Sequence, residues 1–198
     1  SQKVFLYDST YFKVYPRQLT GRVYFSKKYT SLILEAPTGT RNLRYFPNTP
    51  VNIGVGATYR ILSLNVGFGL QFLNPKKEER GKTNYLDLQS HLYAPKWVID
   101  LFGQLYSGYY VSPRGYAAKT ANDFYIRPDI NVDMLGTSVY RLVNGERLSY
   151  RAAFLQNEWQ KKSAGSFLFG GEVYLGQMKG DSAFIPTNLS NVHGQRGV

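Results

Sequence analysis

Cysteine is absent from the 198-residue chain. That excludes disulfide bridges, thiol catalysis, iron–sulfur clusters, cysteine-bound zinc and a cysteine-borne lipid anchor within this sequence. Long apolar runs are missing too: nowhere do about 18 apolar residues follow one another, so no transmembrane helix is encoded. Neither a G-x-S-x-G serine motif nor a G-x-G-x-x-G phosphate loop occurs. Acidic residues are scarce, 13 against 24 Lys and Arg, which leaves a net charge of +11. No secretory signal starts at Ser1; for an exported chain this predicts a mature or trimmed sequence.

What is present is β-forming and aromatic, with 17 Tyr and 12 Phe. The stretch Thr49 to Asn74 organises the rest. Val51, Ile53, Val55, Ala57 and Tyr59 alternate with Pro50, Asn52, Gly54, Gly56 and Thr58. Past Arg60, Leu62, Leu64, Val66, Phe68, Leu70 and Phe72 share one face; Ser63, Asn65, Gly67, Gly69 and Gln71 share the other. This period of two persists for about ten residues, twice. Soluble strands average about five or six residues, whereas strands of roughly 9–11 with one oily and one polar face suit a membrane barrel. The predicted fold is therefore all-β: an antiparallel up-and-down transmembrane β-barrel in the bacterial outer membrane, apolar faces toward hydrocarbon. Negative mean hydropathy fits, because polar lumen positions and loops dilute the apolar ones. The competing reading is a soluble lipocalin-like barrel with its oily face inward.

The chain divides into an N-terminal periplasmic segment (1–18), a barrel (19–177) and a polar tail or start of a further barrel segment (178–198). Eight strands are expected: 19–35 with a bulge beyond Lys28, 49–59, 61–74, Asn84–Tyr93, Trp97–Val111, Asp129–Leu142, Leu148–Phe154 and Gly165–Gln177. Short turns at Arg60, Pro95-Lys96 and Asn144-Gly145 alternate with long loops at 74–82, 112–124 and 157–163, as in bacterial barrels. In the sixth strand, Ile130, Val132, Met134, Tyr140 and Leu142 are assigned to lipid and Asp129, Asn131, Asp133, Thr137 and Arg141 to the lumen. An open edge in lipid would strand backbone groups at several kcal/mol each, so closure or a partner wall is required.

A lumen polar network is expected from Asp87, His91, Asp100, Asp129, Asp133, Arg141, Arg151 and Glu172. Opposite charges in a narrow barrel plug it by pairing; the alternative is a selectivity lining. His91 admits a hydrolytic Asp–His or Ser–His pair, or simply a hydrogen-bonded lumen residue. Asp129-Ile130-Asn131-Val132-Asp133 matches the start of a calcium loop, but Met134 stands where glycine is needed and no closing Glu follows. Alternation explains that spacing without an ion, so no metal or cofactor is expected. Trp97, Tyr109, Tyr110, Tyr125 and Trp159 lie near strand ends and are assigned as interfacial anchors. The second histidine is His193, and Asn188-Leu189-Ser190 is a glycosylation sequon by pattern only. Cations gather in connections (Lys27 and Lys28; Lys76, Lys77, Arg80 and Lys82; Lys161 and Lys162) rather than in one stripe, and no nucleic-acid motif accompanies them. The expected partners are outer-membrane lipids and lipopolysaccharide, with other envelope proteins as further candidates, and no nucleic acid.

The phrases Lys82-Thr83-Asn84-Tyr85-Leu86-Asp87-Leu88-Gln89-Ser90-His91, Trp97 to Gln104 (WVIDLFGQ) and Asn157 to Ser166 (NEWQKKSAGS) resemble an uncharacterised family of Gram-negative outer-membrane barrels known only as a domain of unknown function. The likeness runs from Tyr11 to about Pro186. It implies the barrel and its location, and no catalytic residues. It also implies a longer chain with about 10–12 strands. The expectation is a non-enzymatic structural or accessory envelope component; the alternatives are a small-solute pore and a lipid or peptide hydrolase at the barrel rim.

Overall fold

The computed structural model describes residues 7–36, 41–49, 51–74 and 76–186. His193, the sequon, the rest of 187–198 and the first six residues lie outside them, whereas 178–186 of the expected tail lie within them and its first two residues complete β11. In chain order the elements are β1 (Phe12–Val14), β2 (Leu19–Ser26), β3 (Leu32–Leu34), β4 (Leu43–Phe46), β5 (Asn52–Tyr59), β6 (Leu62–Gly69), α1 (Lys77–Arg80), β7 (Asn84–Ala94), β8 (Trp97–Ser112), β9 (Tyr125–Leu142), α2 (Tyr150–Phe154), β10 (Glu158–Gln160) and β11 (Leu168–Lys179). The fold is all-β and antiparallel. Its frame is a meander in the order β2-β5-β6-β7-β8-β9-β11. β3 pairs with β4, and β4 pairs with the end of β8 beyond the last β7 partner. Among the described residues β2 and β11 do not pair, so the sheet is open.

The alternation seen in the sequence is realised inside out relative to a soluble domain. In β6, Leu62, Leu64, Val66 and Phe68 are exposed, Leu64 by 54%, while Ser63 is fully buried and Asn65 is 6% exposed. Register extends the pattern laterally: Val23, Val55, Val66 and Leu88 form one cross-strand row, and all four are exposed. The inward row holds Tyr24, Gly54, Gly67 and Asp87. Glycine at 54 has a steric reason. A Cβ there would sit 2.0 Å from the Tyr24 ring, which crosses the strand on the inner side.

Four expectations are corrected. First, residues 19–35 are not one strand: β2 ends at Ser26, and β3 turns away to pair with β4. Second, Leu148–Phe154 is not a strand. Ser149 caps α2 by accepting from the Ala152 amide at 3.0 Å, and Tyr150 stacks on Phe154 one turn on, at 4.4 Å between ring centroids. The Asn144-Gly145 turn therefore feeds a helix, and among the described residues the frame has seven strands where eight were expected. Third, the connection from β9 to β11 is long, so short turns and long loops do not alternate strictly.

The fourth correction concerns β9, whose inward face is the apolar one: Ile130, Val132 and Leu142 are buried, whereas Asn131, Leu135, Val139 and Arg141 are exposed. Two physical reasons combine. The interior is not polar throughout, because Leu43 and Tyr45 of β4 enter it and join Tyr85, Tyr106, Tyr109, Val111, Ile130 and Val132 in an apolar plug. A second cluster of Tyr93, Val98 and Leu155 fills the opposite, short-turn end. β9 is also 18 residues long. At about 3.3 Å per residue it is longer than the roughly 30 Å that a membrane strand would have to cross, so even on the expectation of a membrane barrel polar outward residues near its start would lie beyond that layer.

A β-bulge explains the change of face at the end of β8. Up to Tyr106 the even positions face inward; the register shifts between Ser107 and Tyr109, and beyond it Tyr109 and Val111 are buried. Gly108 makes this possible, with φ of +92°, a conformation L side chains rarely adopt.

Candidate functional site

Between the two apolar plugs the interior is a polar layer in which the carboxylates are partnered, while the buried Tyr24 hydroxyl, the Asn52 amide and Asn65 Oδ1 have no hydrogen-bond partner among the described residues. Its centre is Asp87 on β7, whose side chain is 2% exposed. Lys28, from the β2–β3 connection, places Nζ 2.8 Å from Asp87 Oδ2. The amide of Gln89 donates to the same oxygen at 2.6 Å, and that of Gln104 reaches Oδ1 at 3.4 Å. Each partner arises from strand periodicity: Gln89 is two residues along β7, and Gln104 lies directly across on β8. One ammonium counter-charge and two neutral amide donors are what allow a carboxylate to stay buried.

One layer toward the short-turn end, Asp100 on β8 lies opposite His91. His91 Nδ1 is 2.6 Å from Asp100 Oδ1; Tyr93 donates its hydroxyl to the same oxygen at 2.8 Å, and Ser138 donates to Oδ2 at 3.3 Å. Arg22 donates to Thr58 at 3.1 Å, and Thr58 donates to Ser63 at 2.8 Å. The dyad orients the imidazole as a base would need. Yet the serine sits on the carboxylate, and among the described residues the hydrogen-bond partners of His91 are Asp100 and Tyr93. A nucleophile and its base would instead have to touch each other. Among the described residues no cluster of His, Asp and Glu has metal-binding geometry, and Asp129-Ile130-Asn131-Val132-Asp133 lies along one strand.

The eight residues assigned to the lumen thus separate. Asp87, His91 and Asp100 converge in the interior. Glu172 lies on the inward face of β11, opposite Ser138, and accepts from Tyr174 at 2.6 Å and Tyr140 at 3.4 Å. It is nonetheless exposed, because nothing pairs with the far edge of β11 among the described residues. Asp129 is held near the β8 bulge by Arg127, through bonds of 2.8 and 2.7 Å. Arg127 also donates to the carbonyls of Ala183 and Ser182. Asp133 and Arg141 lie on the outward face, a consequence of the reversed β9 assignment; the Arg141 guanidinium sits 5.1 Å over the Trp97 ring.

Arg151 is in α2, outside the sheet, and pairs with Glu158, which also accepts from Ser149. This pair belongs to a small lobe of β1, α2 and β10, joined to the frame by Asn157 donating to the Arg60 carbonyl at 2.7 Å. Burial raises the Glu158 carboxyl above its ordinary value, opposed by Ser149 and Arg151. Burial likewise lowers Arg151, opposed by Glu158.

Of the proposed aromatic anchors, Trp97 and Trp159 are exposed, Tyr125 is half-buried against the apolar plug, and Tyr109 and Tyr110 are buried. The last two are corrections: the bulge at Gly108 turns Tyr109 inward, and Tyr110 is covered by Phe46 and Phe124 at 6.3 and 5.1 Å between ring centroids. Sequence reasoning missed Lys28 and Arg22 as interior cations. Their signal was positional: Arg22 shares its strand parity with Thr20 and Tyr24. It also missed Arg127, whose parity the bulge conceals.

The family model described as "Domain of unknown function (DUF4421)" matches residues 6–195. No curated protein matches the chain, and no solved structure does.

Proposed function

Taking as premise that the chain belongs to the family of the domain of unknown function DUF4421, we propose that it forms the wall of a β-barrel in the bacterial outer membrane. In that setting it serves as a structural or accessory envelope component without a catalytic site. One observation carries the reading: on β6, Leu62, Leu64, Val66 and Phe68 face outward while Ser63 and Asn65 are buried. The same exposure extends over Val23, Val55, Leu88, Leu101 and Val173 on neighbouring strands. A contiguous apolar surface of that extent is unfavourable in water, where patches above a few hundred Å² are rare. In hydrocarbon it is the stable arrangement.

The partnered carboxylates and the filled ends support a sealed wall over a conducting pore. Asp87 and Asp100 are each met by a cationic or imidazole partner, and both ends are filled by apolar clusters. The wall has to be completed. Seven strands in antiparallel succession leave β2 and β11 running in the same direction, so all-antiparallel closure requires an odd number of further strands. In lipid each unpaired edge group would otherwise cost several kcal/mol.

Membrane fractionation tests the reading. The native protein is expected in the dense outer-membrane fraction, resistant to alkaline carbonate. Recovery in the soluble fraction, or release by carbonate, would remove the proposal.

A further inference from the structure

We propose that the groove between β4 and the end of β8 binds a phosphomonoester through Arg41 and Arg44. The groove is a cavity of about 510 Å³ lined by Arg41, Asn42, Arg44, Phe46, Ser112 and Pro113. Its lining holds two guanidinium groups and no carboxylate. Elsewhere the chain pairs arginines with carboxylates: Arg114 with Glu79, Arg127 with Asp129 and Arg151 with Glu158. Among the described residues neither Arg41 nor Arg44 enters an ion pair. Two like charges facing one cavity repel until an anion enters it.

The backbone beneath the groove is fixed. Strand alternation sends Leu43 and Tyr45 into the apolar plug, where both are fully buried, and leaves Arg44 exposed, opposite Ser112. Asn42 Oδ1 accepts from the Ala36 amide at 3.0 Å, and Tyr116 donates to the Arg41 carbonyl at 2.9 Å. The guanidinium groups therefore hang from a pinned frame, which lowers the ordering cost of binding. Each planar fork matches two phosphate oxygens. A phosphomonoester carries a charge of about −1.5 to −2 near neutral pH, which balances two arginines where a diester or a carboxylate would leave one unmatched. Phe46 and Pro113 offer apolar surface to whatever bears the phosphate. The site does not depend on the membrane reading, since it can be assayed in detergent solution.

The test is calorimetric titration of the full chain, in non-ionic detergent at low salt, with glucose 1-phosphate; glucose is the blank. Saturable binding is expected to weaken at least tenfold in Arg41→Gln and in Arg44→Gln, with unchanged unfolding midpoints. The double variant Lys76→Gln/Lys77→Gln, which removes two charges from another basic loop, is expected to stay within twofold. Displacement of the sugar phosphate by phosphatidic acid micelles would identify a lipid headgroup as the source of the phosphate. Displacement by inorganic phosphate alone would identify a soluble one, and both outcomes uphold the site. Absence of saturable binding, or equal weakening by the lysine pair, overturns it.

Discussion

Replacing Gly108 by alanine isolates the bulge that reorganises one end of the interior. The φ of +92° at this position is a conformation L residues rarely adopt, and an added Cβ would stand 2.2 Å from the Lys82 carbonyl oxygen. A residue forced into such backbone geometry costs roughly 1–3 kcal/mol. The clash cannot be relieved by a rotamer change, because the opposing atom is backbone. Nor can the Lys82 backbone retreat freely. The next residue, Thr83, donates to the Gly108 carbonyl at 2.6 Å and accepts from the Asn48 amide at 2.8 Å. Losing such buried bonds adds about 1 kcal/mol each. The sum is a destabilisation of about 3–5 kcal/mol. Gly103→Ala on the same strand is the control: its nearest neighbour would be 4.0 Å away, so the change should be neutral or stabilise by up to about 1 kcal/mol. Urea unfolding of protein refolded in micelles, followed by the emission of Trp97 and Trp159, measures both. If Gly108→Ala unfolds within about 1 kcal/mol of the unaltered protein, or Gly103→Ala loses as much, the account of the bulge is wrong.

Three further outcomes are expected. Leu64→Arg should cost about 2–4 kcal/mol in bilayers, whereas Asn131→Arg, outward near the start of the long β9, should cost about 0–1 kcal/mol; vesicle-based unfolding that ranks them equally would refute the depth assignment. Lys28→Met removes the charged donor from buried Asp87 and should cost about 1.5–3 kcal/mol in the same assay, with Asp87→Asn/Lys28→Met recovering part of the loss. The Glu158 carboxyl is raised in the folded lobe, so between its ordinary and its raised value the folded state holds more protons than the unfolded one. Lobe stability should therefore fall as pH rises from the ordinary carboxylate range. Hydrogen exchange at residues 150–160 should show that decline in the native protein and lose it in Glu158→Gln; a protection that grows with pH would contradict the sign.

Much of the frame was legible because period two is a local signal. Leu62 to Phe68 and Asn84 to Tyr93 announce their faces within ten residues, and Asp87, Gln89 and His91 share one side of β7 as their spacing implies. What failed depended on contacts distant in sequence. The inward side of β9 is apolar because β4, some eighty residues earlier, fills the interior beside it. The helix at Tyr150 was concealed by the alternation of Leu148, Tyr150, Ala152 and Phe154, which a cap at Ser149 and a Tyr150–Phe154 stack override. Tyr109 was placed on the wrong face because one glycine bulge shifts parity, and a single Gly in a strand does not declare whether it bulges. Lys28 found Asp87 across 59 positions, a pairing that no spacing rule could suggest.

The most direct test of the outward-facing oily surface uses the absence of native cysteine, since each introduced thiol is unique. Single cysteines at Leu62, Ser63, Leu64, Asn65, Val66 and Phe68 would carry a bimane label in vesicles with brominated acyl chains. The account predicts strong quenching at 62, 64, 66 and 68 and little at 63 and 65. Quenching without that alternation, or reaction of 62, 64, 66 and 68 with a membrane-impermeant thiol reagent as fast as a loop cysteine at Lys119, would contradict it.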